Sequence, residues 1–311
     1  MPTPYEIYLK MAYHLAQEAR AGLSEFGLPP EFRDKLFAYQ AAAVKIAARH
    51  LNRRGGVLIG DVVGLGKTLM ATALARIFEE DYGLSTLIIC PKALVKMWQQ
   101  YVDQYGLRAK VMSSSLVTQQ LQDVPARFRL VLIDESHNLR NREGKRYRAI
   151  KQYIDQSDAR CILLTATPYN KTYLDLSAQL RLFVDDDKDI GVRPERLLRD
   201  MGEAEFTSRF QVLPNTLAAF EKSAHADDWR ELMRLFLVRR TRSFIQAHYA
   251  QADASGRKYL LLEDGSPSYF PIRVPKTLTF TMDSRDAGDQ YARLYSEPVV
   301  DIINRLRLPR Y

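Results

Sequence analysis

Cysteine is scarce in this 311-residue chain, which has only Cys90 and Cys161. Each falls in or beside an apolar run of strand character, so no disulfide framework is available and a reducing compartment is the simplest setting. The five histidines (His14, His50, His137, His225 and His248) are scattered, and no Cys/His spacing resembles a zinc site. No apolar run approaches the ~18 residues of a membrane-spanning helix, and the N-terminus carries no signal-peptide pattern. Internal repeats and low-complexity segments are absent from the sequence. What is present is 46% hydrophobic and 26% charged residues, enough for a full core in one large domain or two ordinary ones. Lys and Arg exceed Asp and Glu, giving a net charge of +8. That excess suits a polyanionic partner, and it equally suits a basic protein that touches no nucleic acid.

Helical periodicity covers 5–21, Gly27-Leu28-Pro29-Pro30 interrupts it, and an alanine-rich helix is expected over 34–51, ended by Arg53-Arg54-Gly55-Gly56. β-rich runs follow at 57–59, 86–90, 109–112, 130–133 and 161–165, with helical runs at 69–80, 93–105 and 145–154 between most of them. Apolar strands alternating with helices predict a mostly parallel sheet covered on both faces. In such α/β sheets ligands sit beyond the C-terminal ends of the strands. After Pro168 the pattern changes to a helix at 174–184, an acidic turn Asp185-Asp186-Asp187-Lys188-Asp189, and a helical, loop-rich stretch to about Ser243 without clear strands. Strands at 258–262 and 277–282 and a helix over about 287–306 complete the prediction.

Three stretches carry chemistry. Asp61-Val62-Val63-Gly64-Leu65-Gly66-Lys67-Thr68 follows the apolar run Gly56-Val57-Leu58-Ile59 and opens a helix, which is the context of a phosphate-binding loop. Gly64 and Gly66 let backbone N–H groups turn around an anion, Lys67 would reach the β- and γ-phosphates, and the Thr68 hydroxyl would ligate Mg²⁺. Asp61 stands where the strict pattern has glycine. Val131-Leu132-Ile133-Asp134-Glu135-Ser136-His137 delivers two acids to a strand end: Asp134 to hold Mg²⁺ through water, Glu135 to orient or deprotonate the attacking water. His137 alone would read as a core histidine; beside the acids it reads as a relay from the phosphate site to another segment. Leu163-Leu164-Thr165-Ala166-Thr167-Pro168 ends a strand in two hydroxyls, Thr165 and Thr167, suited either to turn chemistry or to sensing the γ-phosphate.

The order of these motifs resembles the superfamily 2 helicases, and most closely the Snf2-like group of DNA translocases. Phe37-Ala38-Tyr39-Gln40 resembles its R-P-Y-Q element, and 61–68 its D-E-x-G-L-G-K-T, with Val62 in place of the usual acid. Leu87-Ile88-Ile89-Cys90-Pro91-Lys92-Ala93-Leu94-Val95 with Trp98 resembles the P-x-x-L-x-x-x-W element that lines the nucleic-acid track. Asp134-Glu135-Ser136-His137-Asn138-Leu139-Arg140-Asn141 resembles D-E-x-H-x-[IL]-[KR]-N, 163–168 resembles L-L-T-[GA]-T-P with Asn170 close behind, and Leu237-Val238-Arg239-Arg240-Thr241 resembles the L-x-R-R-T/L segment near the end of the first lobe.

The resemblance implies a RecA-like lobe over 34–311, with a helical extension at 1–33, a helical insert at about 185–242 and a C-terminal lead toward a second lobe of which the sequence shows no sign. It implies an ATPase stimulated by nucleic acid, with ATP and Mg²⁺ bound between the lobes and the lone lobe weak or inactive. Gln40 would recognise adenine, Asp61 becomes an expected part of the nucleotide site, and Lys92, Lys96 and Arg140 would touch nucleic acid, which in this group is duplex DNA. Arg140, Arg142, Lys145, Arg146 and Arg148 form a basic cluster that suits either phosphate contacts or a solvated face. Arg239 and Arg240 read either as functional cations or as a structural salt-bridge pair. An RNA or single-strand helicase and a nucleotide-gated binding module remain as alternatives. The implied setting is the cytoplasm of a bacterium or archaeon, in association with the nucleoid.

Overall fold

Runs of four or five apolar residues without alternation suit strands buried on both faces, and this is how the sheet is built. In the computed structural model, which describes residues 26–61, 64–169, 172–261 and 265–270, the strands are β1 (Gly56–Ile59), β2 (Thr86–Cys90), β3 (Ala109–Ser113), β4 (Leu130–Ile133), β5 (Arg160–Leu164) and β6 (Leu237–Val238). They form one sheet in the order β3-β2-β4-β5-β1-β6, every pairing parallel. The helices are α1 (Pro30–Arg33), α2 (Ala38–Arg54), α3 (Lys67–Tyr82), α4 (Val95–Gln104), α5 (Val117–Gln120), α6 (Lys145–Ser157), α7 (Leu174–Leu180), α8 (Glu195–Met201), α9 (Glu203–Phe210), α10 (Leu217–Phe220), α11 (Ala226–Phe236) and α12 (Arg242–His248).

Side chains alternate across each strand, so the sheet divides the core in two. Val57, Ile59, Ile88, Leu130, Leu132, Ile162 and Leu164 pack with α2, α3 and α4 through Val44, Leu51, Leu74, Phe78 and Trp98. Leu58, Leu87, Ile89, Val131, Ile133, Cys161 and Leu163 pack on the opposite face with α6, α7, α10 and α11 through Ile150, Leu180, Phe220 and Trp229. The expected class, a RecA-like α/β lobe with helices on both faces of a parallel sheet, is borne out by this layering.

Some elements differ from the sequence reading. The helix expected over 34–51 begins later, at Ala38, because Phe37 is extended ahead of α2, and an unexpected short helix, α1, precedes it with Pro30 in its first turn. A sixth strand, β6, lies in the stretch expected to lack strands; two residues are too short to show a period. A second, antiparallel sheet joins β7 (Gln251–Ala252), β8 (Lys258–Leu261) and β9 (Pro267–Tyr269), of which only β8 was expected. The helices expected at 5–21 and 287–306 and the strand at 277–282 lie outside the described residues.

Candidate nucleotide-binding site

β4, β5 and β1 are neighbours in the sheet, so the segments leaving their C-terminal ends are neighbours too. This brings the acids, the two threonines and the glycine-rich loop to one edge, at a place no local pattern in the sequence specifies.

On the loop side, Gly64 and Gly66 adopt φ of +87° and +78°, which side-chain-bearing residues adopt only with strain. A Cβ on Gly66 would also collide with Gln40 Nε2. Gln40 is buried and bonded at both ends: its Nε2 donates to the Leu65 carbonyl at 3.0 Å and its Oε1 accepts from the Phe37 N–H at 2.9 Å. The residue expected to read adenine thus ties the loop to the start of α2 here. Gly66 precedes the first turn of α3, whose first residue is Lys67. Lys67 Nζ donates to the Asp61 carbonyl oxygen at 2.8 Å. Burial lowers the Lys67 pKa, and the negative charges of Glu135, Asp61 and Asp134 nearby act the other way.

Asp61 requires a correction. Its carboxylate is completely buried and turned toward Arg240, which donates its backbone N–H at 2.7 Å and Nη2 at 2.9 Å. Arg240 Nη1 also donates to the Tyr39 carbonyl. A buried acid beside a fixed guanidinium is a brace, and both carboxylate oxygens are committed to it rather than offered to a phosphate. Of the two readings for Arg240, the structure shows the salt bridge; Arg239 is exposed. Val62 lies outside the described residues.

On the acid side, the Asp134 N–H donates to the Ile89 carbonyl at 2.9 Å, extending the β2–β4 pairing by one residue. Asp134 Oδ2 accepts from Trp98 Nε1 at 2.9 Å, and Oδ1 accepts from the Glu135 N–H at 2.9 Å. Trp98 is buried, so it faces this acid and not an open track, a role its motif did not announce. Glu135 has φ of +52°, a left-handed conformation that costs a residue with a side chain about 1–2 kcal/mol. Its Oε2 lies 3.0 Å from His137 Nδ1, which is also 3.2 Å from Thr165 Oγ1. Thr165 Oγ1 in turn accepts from the Thr167 N–H at 3.1 Å. Glu135, His137, Thr165 and Thr167 therefore form one continuous polar chain from β4 to β5.

Two further contacts lock these strand ends. Ser136 Oγ donates to Gln179 Oε1 at 2.7 Å, and Gln179 Nε2 donates to the Pro168 carbonyl at 2.6 Å, so buried Gln179 clasps both motifs. The sequence offered no signal for it. Arg140 Nη2 donates to the Thr167 carbonyl at 2.8 Å, and its Nε is 3.6 Å from Asp175. Arg140 thus ties the ends of β4 and β5 together through one of its guanidinium nitrogens. Lys92 and Lys96, beyond β2, are exposed, as are Arg142, Lys145, Arg146 and Arg148.

Among the described residues no three His, Cys, Asp or Glu side chains gather into a metal cage. Mg²⁺ held by one carboxylate, one hydroxyl, waters and substrate phosphates needs none. The candidate ligands suit that arrangement: Asp134 keeps lone pairs beyond the two it uses, and Thr68 sits in the first turn of α3.

A model of the SNF2-related domain matches residues 39–123, and a model of the type III restriction enzyme res subunit matches 108–170. The DNA annealing helicase and endonuclease ZRANB3 of Mus musculus is 29% identical over 168 residues, covering 45% of this chain and 15% of that protein. The Drosophila melanogaster "SWI/SNF-related matrix-associated actin-dependent regulator of chromatin subfamily A-like protein 1" is 27% identical over 177 residues, covering 50% and 22%. The CHD3-type chromatin-remodeling factor CHR7 of Arabidopsis thaliana is 24% identical over 248 residues, covering 67% and 20%. The structure of a Sulfolobus solfataricus SWI2/SNF2 ATPase core in complex with dsDNA has a TM-score of 0.49 at 19% identity, covering 74% of this chain and 52% of that one. The chain spans about a fifth of the length of these curated relatives. The Snf2-like resemblance read from the motifs is borne out by these matches.

The expected setting is not. These relatives are animal and plant proteins, two of them named for chromatin, and they overturn the bacterial or archaeal, nucleoid-associated cytoplasm. The error has a physical origin: a phosphate-binding site uses the same chemistry in every compartment, and few cysteines and a modest positive charge carry no address.

Proposed function

We propose, starting from a chain of Snf2-like kinship, that it is the first, ATP-binding lobe of a motor that hydrolyses ATP while acting on double-stranded DNA. The lobe begins at about residue 34 and takes in β6, so the helical insert expected at about 185–242 ends before Leu237. The observation that carries this reading is the adjacency of β4, β5 and β1, which brings the loop holding Lys67 and the acids Asp134 and Glu135 to one edge of the sheet.

In this reading the N–H groups of the loop around Gly64 and Gly66 and the Lys67 ammonium hold the polyphosphate. Thr68 and Asp134 would hold Mg²⁺, which when bound supplies positive charge to the phosphate oxygens. Trp98 fixes the rotamer of Asp134 through its 2.9 Å hydrogen bond. Glu135 orients and deprotonates the attacking water, and His137 beside it holds the carboxylate and passes its position to Thr165 and Thr167. That polar chain couples the reacting edge to the segment after β5. Gln40 serves the base side, where its present bonds to Leu65 and Phe37 would exchange for adenine. Lys92 and Lys96 contact DNA phosphates without reading sequence, in keeping with relatives named as DNA helicases.

The test is steady-state ATP hydrolysis by the chain joined to the rest of its polypeptide, with duplex DNA, single-stranded DNA or RNA added. We expect duplex to stimulate most, Glu135→Gln to bind ATP without turning it over, Lys67→Ala to do neither, and the 311-residue chain alone to be weak or inactive. Stronger stimulation by RNA or single strands would move the chain to another superfamily 2 branch. Absence of hydrolysis with every polymer would make it a nucleotide-gated binding module.

A further inference from the structure

The glycine-rich loop is covered by a segment distant in sequence, and the two meet residue by residue. Arg240 is bonded to Asp61, where the loop begins. Ile245, fully buried, packs with Leu65 near the loop's end, in a small cluster with Tyr39 and Leu260. Arg242 lies between these two anchors, and Gly64 lies between Asp61 and Leu65. Arg242 Nη2 is the nearest group to the open side of Gly64, 3.9 Å from where a Cβ would stand.

Three arginines cluster here, and each has a different fate. Arg239 is exposed, and Arg240 is consumed by Asp61 and the Tyr39 carbonyl. Arg242 has a buried Nε without a hydrogen-bond partner, and its guanidinium joins none of the ion pairs among the described residues. Its backbone is nevertheless fixed: the Phe244 N–H donates to Thr241 Oγ1 at 3.2 Å, capping α12, and Ile245 holds the next turn. A guanidinium keeps its charge under all ordinary conditions, and leaving one partly buried and unpaired is costly unless an anion completes it. The loop it overhangs is the one whose N–H groups and lysine are already suited to phosphate.

We infer that Arg242 is a further polyphosphate-binding residue of the nucleotide site, supplied by the segment after β6 and aimed at the loop by the Asp61–Arg240 and Leu65–Ile245 anchors. This rests on the reading of 61–68 as a nucleotide loop. Arg242 would add a second cation to the phosphate side, across from Lys67, and would make the loop's affinity depend on α12 being docked.

The test is equilibrium binding of a fluorescent ATP analogue and its ADP counterpart to the 311-residue chain, with thermal unfolding as a control for folding. Arg242→Gln is expected to weaken binding about tenfold, the size of one charge-assisted contact, at an unfolding temperature no lower than that of the parent chain. Arg242→Lys, which keeps the charge, is expected to recover most of the loss. Wild-type affinity in Arg242→Gln, with binding abolished in Lys67→Ala, would overturn this inference and leave the nucleotide site standing. Undiminished binding in Lys67→Ala would remove the nucleotide reading and this inference with it. A loss in Arg242→Gln that Arg242→Lys does not recover at all would also overturn it, since charge would then not be what Arg242 contributes.

Discussion

The two halves of the site are held in different ways. The acid side is stitched by short hydrogen bonds between neighbouring strand ends: Trp98 to Asp134, His137 to Thr165, Ser136 to Gln179 and on to Pro168. The loop side is held by one buried ion pair between residues 179 apart in sequence, with Gln40 and Ile245 as supports. A network of several hydrogen bonds loses one member at a time, whereas an ion pair buried in protein fails at once when either charge is removed. The polar chain on the acid side can therefore be tuned in small steps, and the loop side is held as an all-or-none brace.

The largest test of this contrast is Asp61→Ala. It strands Arg240 without a counter-charge, and we expect a loss of about 3–5 kcal/mol in urea unfolding together with loss of nucleotide binding. A small stability loss would show that the brace is replaceable. Next is Trp98→Phe, which keeps the ring and removes the donor to Asp134. We expect a shift of about 10–100-fold in Mg²⁺ dependence or activity, with ATP binding in the absence of hydrolysis largely kept. Ser136→Ala should cost about 1–2 kcal/mol by leaving Gln179 Oε1 short of a donor in the interior, measurable by the same unfolding. If Ser136→Ala matched Asp61→Ala in size, the two halves would not differ as described.

The last test lies away from both halves and has no expected effect on the site. Burial, with Arg54, Arg49 and Arg53 nearby, holds the His50 pKa at about 4, below its ordinary value. Neutral His50 can accept from Arg54 Nη1 at 3.2 Å. Because the folded pKa is the lower one, its contribution to stability is complete above about pH 6.5 and is lost as pH falls from there toward 4. His50→Gln should flatten the pH dependence of the unfolding midpoint across that window while leaving ATP affinity at pH 7.5 unchanged.

Much of the sheet was legible because its strands are local apolar runs: 86–90 and 130–133 were expected at the bounds observed. β6 was not, since two residues cannot show a period, and its pairing with β1 is a consequence of the whole chain. At the site, residue types at fixed spacings pointed to Lys67, Asp134, Glu135 and Thr165. Their partners were hidden. Nothing near Asp61 announces Arg240, nothing near Ser136 announces Gln179, and the motif containing Trp98 suggests a different orientation for it. Arg140 shows the same point: its place after an acidic box gives no sign that the carbonyl of Thr167, across the adjacent strand, will meet it. Chemistry-bearing residues follow from local pattern, and the contacts that aim them follow from which strands become neighbours.

The most direct test of the central claim is calorimetric titration of the 311-residue chain with ATP, with and without Mg²⁺, alongside Lys67→Ala. The account predicts saturable one-to-one binding strengthened by Mg²⁺ in the parent chain and no detectable binding in Lys67→Ala. Equal binding by both proteins, or none by the parent chain, would contradict it.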